Sequence, residues 1–359
     1  MSRYGMISLL LSISLVLCPI YASRSIPESP KMINGYSEYI KAPSYQNENR
    51  CRLKVPDSSS LGTCNPSLIH VSMTLDSVYL RGSMAAVNSI LRHISCPQNV
   101  YFHFIASSSD PTNELNQILR ATFPSLAFTV YPFAEEKKVK SLISSSIRQA
   151  LDNPLNYART YLADIIPSCV KRVIYLDSDI ILVDDILKLW SIKVSDSKVI
   201  GAPEYCHANF TKYFTNEFWS NPEFSQVFQG KKPCYFNTGV MVIELERWRK
   251  GYFTRKIEKW MEIQKEKLRI YQLGSLPPFL LVFGGDIEPI HHRWNQHGLG
   301  GDNLVNSCRS LHSGPVSLLH WSGKGKPWVR LDKGIMCPVD FLWAPYDLHT
   351  NRFLHSPQR

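Results

Sequence analysis

The stretch that decides the fold is Arg172-Val173-Ile174-Tyr175-Leu176-Asp177-Ser178-Asp179-Ile180-Ile181-Leu182-Val183. Two continuous apolar runs, rich in β-branched residues, flank a pair of carboxylates that one small residue separates. Such runs are typical of a strand that is buried on both faces of a sheet. A strand that ends in Asp-Ser-Asp places both carboxylates at the carboxyl edge of the sheet, where open α/β sheets bind ligands.

The two carboxylates predict a metal site. Asp177 and Asp179 offer hard oxygen ligands, which suit Mn²⁺ or Mg²⁺ bridging to a diphosphate. Burying two negative charges without a cation would be costly. The alternative, in which one aspartate caps a turn and the other is solvated, stays open, but the context favours the metal hypothesis.

Composition and charge narrow the class of protein. The chain has 359 residues, of which 44% are hydrophobic and only 19% charged, as expected of a globular enzyme rather than a disordered chain. The formal net charge of +10 favours acidic partners such as nucleotide sugars, acidic polysaccharides or anionic membranes. Because the sequence has no long Lys/Arg run, zinc-finger spacing or RNA-binding motif, we expect no nucleic-acid partner.

The amino terminus has the pattern of a targeting segment. Arg3 precedes an apolar run over 6–18, followed by Pro19 and the small residues Ala22 and Ser23. Residues 1–23 are therefore predicted to be either a signal peptide or an uncleaved type II signal anchor, which would attach the protein to a membrane. Both alternatives lead into the secretory pathway, where we expect the protein in the Golgi lumen, with the ER as the alternative.

The cysteine content agrees with an oxidising lumen. Beyond Cys18 there are eight cysteines, an even number that could pair, with no CxxC spacing to suggest structural zinc. The sequence leaves the connectivity open. Asn209-Phe210-Thr211 is an acceptor sequence for N-glycosylation.

Strand and helix patterns alternate along most of the chain. Residues 24–66 are predicted to be a stem or lead-in, 67–350 a single catalytic domain and 351–359 a tail. Strands are predicted over 68–74, 100–106, 126–130, 199–202 and 240–244. Helices are predicted over 80–93, 114–122, 157–166, 245–250 and 254–267. This alternation predicts an α/β fold with a mixed, mainly parallel sheet and helices on both faces.

A second motif complements the carboxylate pair, namely His320-Trp321-Ser322-Gly323-Lys324-Gly325-Lys326-Pro327-Trp328. A neutral imidazole at His320 would be a third metal ligand, and Lys326 can neutralise phosphate charge. Gly323 would let the backbone approach a diphosphate closely.

Three spaced motifs together resemble the retaining glycosyltransferases of family 8: Leu176-Asp177-Ser178-Asp179, Phe236-Asn237-Thr238-Gly239 and the His320–Trp328 segment. The runs Arg293–Asn303 and Trp343–Leu348 resemble the plant galacturonosyltransferase-like branch of that family. The resemblance covers roughly 69–348 and implies a Rossmann-like GT-A fold. It also implies transfer of a sugar, galacturonosyl above all, from a UDP-sugar to a cell-wall polysaccharide, pectin or xylan.

The resemblance also implies roles for individual residues. Asp177, Asp179 and His320 match metal ligands, and the first two count with Lys326 as catalytic residues. Thr74, Leu75, Asp76 and Tyr79 match the turn that holds uridine. Arg159 and Asn237 match contacts to the donor sugar, and Gly323 and Lys326 match contacts to the diphosphate.

One departure from the family pattern concerns the residue that faces the anomeric carbon. Many members carry an Asp-Gln-Asp element there. In this chain the corresponding region is interpreted as 283–289, and no residue in it matches that element cleanly. Asp286 is the catalytic candidate in that region, and a simple loop carboxylate is the alternative. In addition, we expect some of four loop tryptophans to stack on sugars: Trp294, Trp321, Trp328 and Trp343.

Three alternatives to this function stay open. The donor could be UDP-xylose or UDP-glucuronate. The Asp-Ser-Asp pair also resembles that of haloacid-dehalogenase phosphatases, although its position after several strand–helix units counts against them. The protein could also be a non-catalytic partner in a complex with an active transferase.

Overall fold

A computed structural model describes residues 38–49, 51, 62–108, 110, 112–145, 149–266, 269–301 and 308–350. The predicted signal or anchor segment, part of the 24–66 lead-in and the 351–359 tail lie outside the described residues. Within the described ranges, no helix is both long enough and apolar enough to cross a membrane. The described part of the lead-in packs on the domain, because Tyr39 and Ala42 join its hydrophobic core.

Ten strands form the sheets of the described residues, and they are numbered in chain order. They are β1 Ile69–Leu75, β2 Val100–Ala106, β3 Ala127–Pro132, β4 Arg172–Leu176, β5 Ile180–Leu182, β6 Ile200–Tyr205, β7 Tyr235–Phe236, β8 Val240–Glu244, β9 Glu288–Ile290 and β10 Leu318–His320.

The α-helices in the described ranges are α1 Leu80–His93, α2 Thr112–Thr122, α3 Glu136–Leu142, α4 Leu162–Ile165, α5 Ile186–Trp190, α6 Asn216–Ser220, α7 Pro222–Ser225, α8 Leu245–Lys250, α9 Phe253–Glu266, α10 Leu276–Phe283 and α11 Pro327–Asp332. Short 3₁₀ helices connect them, and the longest, Pro154–Tyr161, precedes α4 where a continuous helix over 157–166 was expected.

The main sheet is mixed, as predicted. Its strand order is β3-β2-β1-β4-β8-β6-β7, with β9 alongside β6. The β1–β2, β2–β3, β1–β4 and β6–β9 ladders are parallel, whereas β8 runs antiparallel to both β4 and β6. The carboxyl ends of β1, β4 and β6 and the start of β8 therefore meet at one edge of the sheet.

Both faces of this sheet are buried. Alternate residues of β4 point to opposite faces, so that Ile174 joins one hydrophobic cluster and Tyr175 the other. Helices α1, α2 and α5 cover the first face, and α4, α8, α9 and α10 cover the second. The result is the expected α/β sandwich with helices on both sides.

The Asp-Ser-Asp stretch forms two strands instead of the single strand expected from its sequence. The first run is β4 in the main sheet, while the second is β5, which pairs antiparallel with β10 in a separate two-stranded sheet. The chain changes sheets at 177–179, so the carboxylates lie at a junction. The same pairing brings His320, the last residue of β10, opposite Ile180.

All eight cysteines after Cys18 are paired in disulfides: Cys51–Cys96, Cys64–Cys169, Cys206–Cys234 and Cys308–Cys337. The pairing agrees with the even count read from the sequence. It also supplies the connectivity, which the sequence could not give.

Candidate active site

A cavity of about 970 Å³ opens at the edge where the strand ends meet. Most of the residues that the sequence singled out line it: Thr74, Asp76, Tyr79, Arg159, Asp177, Asp179, Asn237, His320, Gly323 and Lys326. They come from distant parts of the chain, and the sheet topology brings them to one place.

Two of the predicted site residues lie elsewhere. Leu75 is fully buried in the hydrophobic core and does not line the cavity, because its position in β1 points it to the sheet face opposite Thr74. Asp286, the candidate to face the anomeric carbon, is not brought to the cavity by the fold. Its side chain is 53% exposed, outside the cavity, and forms an ion pair with Lys198.

Ahead of the Trp294-Asn295 segment, the nearest cavity-lining residues along the chain are Leu273, Gly274, Ser275 and Leu276, at the start of α10. This segment carries no carboxylate. Among the described residues that line the cavity, the only carboxylates are Asp76, Asp177 and Asp179.

Asp177, Asp179 and His320 converge on one point. One ligand atom from each lies within 4.8 Å of the others. His320 Nε2 lies 3.1 Å from Asp179 Oδ1 and 3.6 Å from Asp177 Oδ2. The imidazole is almost fully buried, at 1% exposed.

Asp177 is oriented by two neighbours that bind only one of its oxygens. Oδ1 accepts a hydrogen bond from the Tyr175 hydroxyl at 2.9 Å and pairs with Arg159 Nη2 at 3.0 Å. Arg159 is fixed in turn by donating to the Thr238 carbonyl and hydroxyl oxygens at 2.9 and 3.0 Å. Oδ2 is thereby left to face His320. Burial tends to lower the pKa of Arg159, but Asp177, Tyr175 and Asp179 together outweigh burial and raise that pKa, so the guanidinium stays charged.

Asp179 divides its oxygens in the same way. Oδ2 accepts from Lys326 Nζ, which also donates to the Trp321 carbonyl at 2.8 Å, while Oδ1 faces His320. Burial would raise the pKa of Asp179, but the charge of Lys326, together with His320, outweighs burial and holds that pKa well below its ordinary range. The carboxylate is therefore ionised at neutral pH.

A pair of asparagines holds the imidazole in place. His320 Nδ1 lies 2.9 Å from Asn295 Oδ1, and Asn295 Nδ2 donates to Asn237 Oδ1 at 3.2 Å. Because the amide oxygen can only accept, Nδ1 of the ring is the donor, and the lone pair of a neutral ring lies on Nε2, toward the two aspartates. This is the arrangement typical of a metal-ligating histidine.

The donor set fits a divalent cation. His320 Nε2 is buried and has no hydrogen-bond partner of adequate geometry, so it is an orphaned atom that a metal would satisfy. Two carboxylates and one imidazole suit Mn²⁺ or Mg²⁺. A second group of three potential ligands, Glu204, Cys206 and Cys234, does not fit, because its cysteines form a disulfide and offer no thiolate.

Two glycines of the site leave no room for a side chain. A Cβ at Gly239 would lie 2.4 Å from His320 Cε1 and 2.6 Å from Asp177 Oδ2. Gly323 has φ +118°, and a Cβ there would lie 2.3 Å from the Gly301 carbonyl oxygen. Gly323 is therefore required by the local backbone packing as well as by any ligand that approaches it.

The cavity also contains aromatic residues that the sequence reasoning missed: Tyr205, Tyr213, Tyr235, His297 and His312. Burial, with His320 and His312 nearby, lowers the pKa of His297 to about 3, so its ring is neutral at neutral pH. Tyr205 ends β6 at the carboxyl edge of the sheet, where ligands bind, but the strand predicted over 199–202 stopped three residues short of it. Tyr213 has no sequence signal.

The four loop tryptophans do not take the expected sugar-stacking position. Trp294, Trp321, Trp328 and Trp343 are all 6% exposed or less, and none lines the cavity. Their loops bury them in the core beside the site, where they support its walls.

Comparison with known proteins agrees with this geometry. Residues 70–332 match the family described as Glycosyl transferase family 8. The Arabidopsis thaliana protein named "Probable galacturonosyltransferase-like 10" is 63% identical over 345 residues, which cover 96% of this chain and 94% of the relative. "Probable galacturonosyltransferase-like 9" of the same plant is 59% identical over 98% of this chain and 93% of its own length.

Solved structures show the same fold. The galactosyltransferase LgtC in complex with donor and acceptor sugar analogs has a TM-score of 0.57 and 19% identity, over 78% of this chain and 95% of that one. The apo form of mouse xyloside xylosyltransferase 1 has a TM-score of 0.50 and 16% identity, over 71% and 98%. At these identities the likeness concerns the fold alone.

The fold and the site together define a sugar-transferring enzyme with the GT-A architecture. The chain belongs to glycosyltransferase family 8, and its relatives at about 60% identity are plant galacturonosyltransferase-like proteins. The phosphatase alternative is therefore wrong.

Proposed function

We propose that this enzyme is a metal-dependent, retaining galacturonosyltransferase that uses a UDP-sugar donor and a plant cell-wall polysaccharide acceptor, pectin or xylan. The observation that carries the proposal is the convergence of Asp177, Asp179 and His320 beside Lys326 in a cavity large enough for a nucleotide sugar. Transfer from a nucleotide sugar requires neutralisation of the diphosphate as it leaves, and this cluster provides the charges for it.

Asp177, Asp179 and His320 would hold the cation, which supplies positive charge to the departing diphosphate when bound. Lys326 lies at the same cluster and adds an ammonium group that can contact a phosphate oxygen. Arg159 keeps Asp177 oriented and contributes a buried positive charge on the side of the donor sugar. Thr74, Asp76 and Tyr79 form the turn assigned to uridine. Its shape depends on Asp76, whose Oδ1 accepts from the Tyr79 N–H at 2.7 Å.

The residues that line the cavity bear on how the proposed retaining transfer would proceed. A double displacement needs a carboxylate nucleophile, yet two of the three carboxylates among the described lining residues belong to the metal cluster. The third, Asp76, accepts from a backbone N–H in the uridine turn. We therefore favour attack of the acceptor hydroxyl from the face that UDP leaves, with a leaving phosphate oxygen taking the proton.

The choice of sugar rests on the relatives and on charge. Relatives that share about 60% of the sequence carry galacturonosyltransferase-like in their names. The net charge of +10, with Arg309 among the cavity-lining residues, suits a uronate donor or an acidic acceptor. Transfer of xylosyl or glucuronosyl is the alternative within the same fold, and a non-catalytic role beside an active transferase is the alternative outside it.

Four disulfides support a secretory location, because such bonds persist in an oxidising compartment. Asn209, in the glycosylation sequence, is exposed, as modification would require. We place the catalytic domain in the Golgi lumen.

The test is a panel assay on purified protein. UDP-galacturonate, UDP-glucuronate, UDP-xylose and UDP-galactose are each supplied with Mn²⁺ and with pectic or xylan oligosaccharides, and UDP release and product are followed. We expect turnover with UDP-galacturonate, none after chelation, and an α-linked product from the α-linked donor by NMR. Absence of turnover with every donor would favour the non-catalytic role, and preference for another donor would overturn the galacturonosyl assignment.

A further inference from the structure

Five aromatic side chains form a continuous wall on one side of the cavity. We call this group the ring wall: Tyr205, Tyr213, Tyr235, His297 and His312. The Tyr213 and Tyr235 rings are stacked, with centroids 4.9 Å apart and planes 5° from parallel. Tyr205 lies 4.4 Å from His297, and His297 lies 5.1 Å from His312.

The ring wall lies on the far side of the metal cluster from the uridine turn. Along the sheet edge the order is β1, β4, β8 and β6, which places Thr74 first, then Asp177, then Gly239 and finally Tyr205. Strands are spaced about 4.8 Å apart, so Tyr205 lies roughly 14 Å from the end of β1. A UDP-sugar with uridine at Thr74 and its diphosphate at the metal cluster therefore points its sugar end toward the ring wall.

The wall is connected to the metal cluster and rigidly supported. Asn237 Nδ2 donates to the Tyr235 hydroxyl at 3.3 Å, and the Tyr205 hydroxyl donates to the Asn295 carbonyl. Tyr213 ends the 3₁₀ helix Phe210–Tyr213, within a segment that the Cys206–Cys234 disulfide closes. Because the wall is held from both ends, its ring faces are preorganised for a ligand.

One polar atom of the wall lacks a partner. His297 Nε2 is buried and makes no hydrogen bond with the described residues, a state that is unfavourable unless a ligand supplies the partner. A sugar hydroxyl bound beside the ring would supply the missing hydrogen bond. Flat tyrosine faces with one unsatisfied imidazole are the elements from which a sugar subsite is made, since a pyranose has apolar ring faces and hydroxyls at its edge.

We infer that the ring wall is the acceptor subsite, in which an acceptor pyranose packs on the half-buried ring of Tyr213, which the buried Tyr235 ring supports from behind, and a hydroxyl binds His297. Identifying the bound sugar as the acceptor rests on the proposed function, but the subsite itself requires only that the wall binds an oligosaccharide. It can therefore be tested without turnover.

The experiment measures binding of a galacturonate hexasaccharide to the full chain in the presence of UDP and Mn²⁺, by calorimetry and by saturation-transfer NMR. Tyr213→Ala and His297→Ala should each weaken the hexasaccharide by about tenfold, the size of one aromatic contact or one hydrogen bond. UDP binding should stay within about twofold, because the uridine turn and metal cluster are untouched. Tyr213→Phe keeps the ring and should stay within about threefold of the wild type, which separates stacking from misfolding.

The matched control is Tyr252→Asn, at a tyrosine that is 76% exposed, outside the cavity and in a left-handed backbone conformation that asparagine tolerates. This variant should bind as the wild type does. Hexasaccharide binding that is absent in the wild type, or equal in all variants, overturns the subsite. A loss of UDP-galacturonate affinity equal to the loss of hexasaccharide affinity also overturns it, because the wall would then serve the donor sugar. Weakened hexasaccharide binding without any turnover by the wild type would keep the subsite and refute the proposed function instead.

Discussion

The substitution Gly239→Ala should disable the metal cluster without changing any ligand. The added methyl carbon would lie 2.4 Å from His320 Cε1, at least 1.0 Å short of the 3.4 Å at which ordinary contact begins. It would also lie 2.6 Å from Asp177 Oδ2. Neither neighbour can move freely, because Asn295 holds the imidazole and Arg159 holds the carboxylate.

The consequence is a ligand displaced by close to 1 Å. A misplacement of this size typically costs about 10²-fold in a preorganised site, and overpacking lowers the free energy of unfolding by about 1–3 kcal/mol. We therefore expect metal affinity and turnover to fall by about 100-fold.

Thermal unfolding with and without Mn²⁺ measures this effect independently of turnover. At a metal concentration about 100 times the wild-type Kd, binding adds about 2.7 kcal/mol to the free energy of unfolding. A Kd raised about 100-fold leaves only about 0.4 kcal/mol at the same concentration. Gly239→Ala should therefore lose nearly all of the shift in Tm that Mn²⁺ produces.

The control is Gly230→Ala, at a glycine with φ +72° and open space around the Cβ position. Alanine in a left-handed conformation costs about 1–2 kcal/mol, so this variant is destabilised while its metal cluster is intact. Its Tm should fall, but its Mn²⁺-induced shift should equal that of the wild type. If Gly239→Ala keeps the full Mn²⁺ shift, the three residues do not form the metal site.

Three further predictions follow from the same site. Lys326→Ala should lower kcat by about 30- to 1000-fold (about 2–4 kcal/mol) with little change in UDP-sugar affinity, whereas exposed Lys324→Ala should leave both unchanged in steady-state kinetics; equal behaviour of the two variants refutes the phosphate role. Asp179→Ala should abolish transfer and the Mn²⁺-induced shift in Tm, with 94%-exposed Asp196→Ala as the control; normal turnover in folded Asp179→Ala would contradict the ligand assignment. Burial raises the pKa of Asp76 to about 6, whereas the unfolded chain releases this proton near pH 4. Because the folded state alone keeps the proton in between, the free energy of unfolding should fall as the pH rises from about 4 to 6. Chemical denaturation across that range should show a smaller fall in Asp76→Asn, and an unchanged slope would contradict it.

Much of the fold could be predicted from the sequence because the relevant patterns are local. Buried β-branched runs and helical periodicity predicted α1, α8, β2 and β8 with the bounds that the structure shows. Helix α10 was missed, because Pro277 and Pro278 suggest a helix break, whereas prolines are tolerated in the first turn. Sequence alternation likewise did not show that β4 and β5 belong to different sheets, since strand pairing is not a local property.

The candidate site divides in the same way. Asp177, Asp179, His320 and Lys326 could be identified from the sequence because their chemistry is concentrated in two short motifs. Which oxygen of each carboxylate faces His320 could not be predicted. Arg159 and Lys326, which approach from other elements, each bind the opposite oxygen and so decide it. Asp286 was misplaced because distance along the chain does not give distance across a folded sheet.

The ring wall depends on tertiary structure alone. Its five rings come from the end of β6, the start of β7, a disulfide-closed segment and two separate loops, and no single stretch of sequence contains a sugar-binding pattern. Conversely, the four tryptophans that looked available for stacking became core residues when their loops folded over the site. The sequence by itself determined the class of enzyme and the charged centre of its site, because both depend on residue types at short spacing. Only the tertiary structure decided which aromatic faces are open to a ligand, because exposure depends on what packs against each ring.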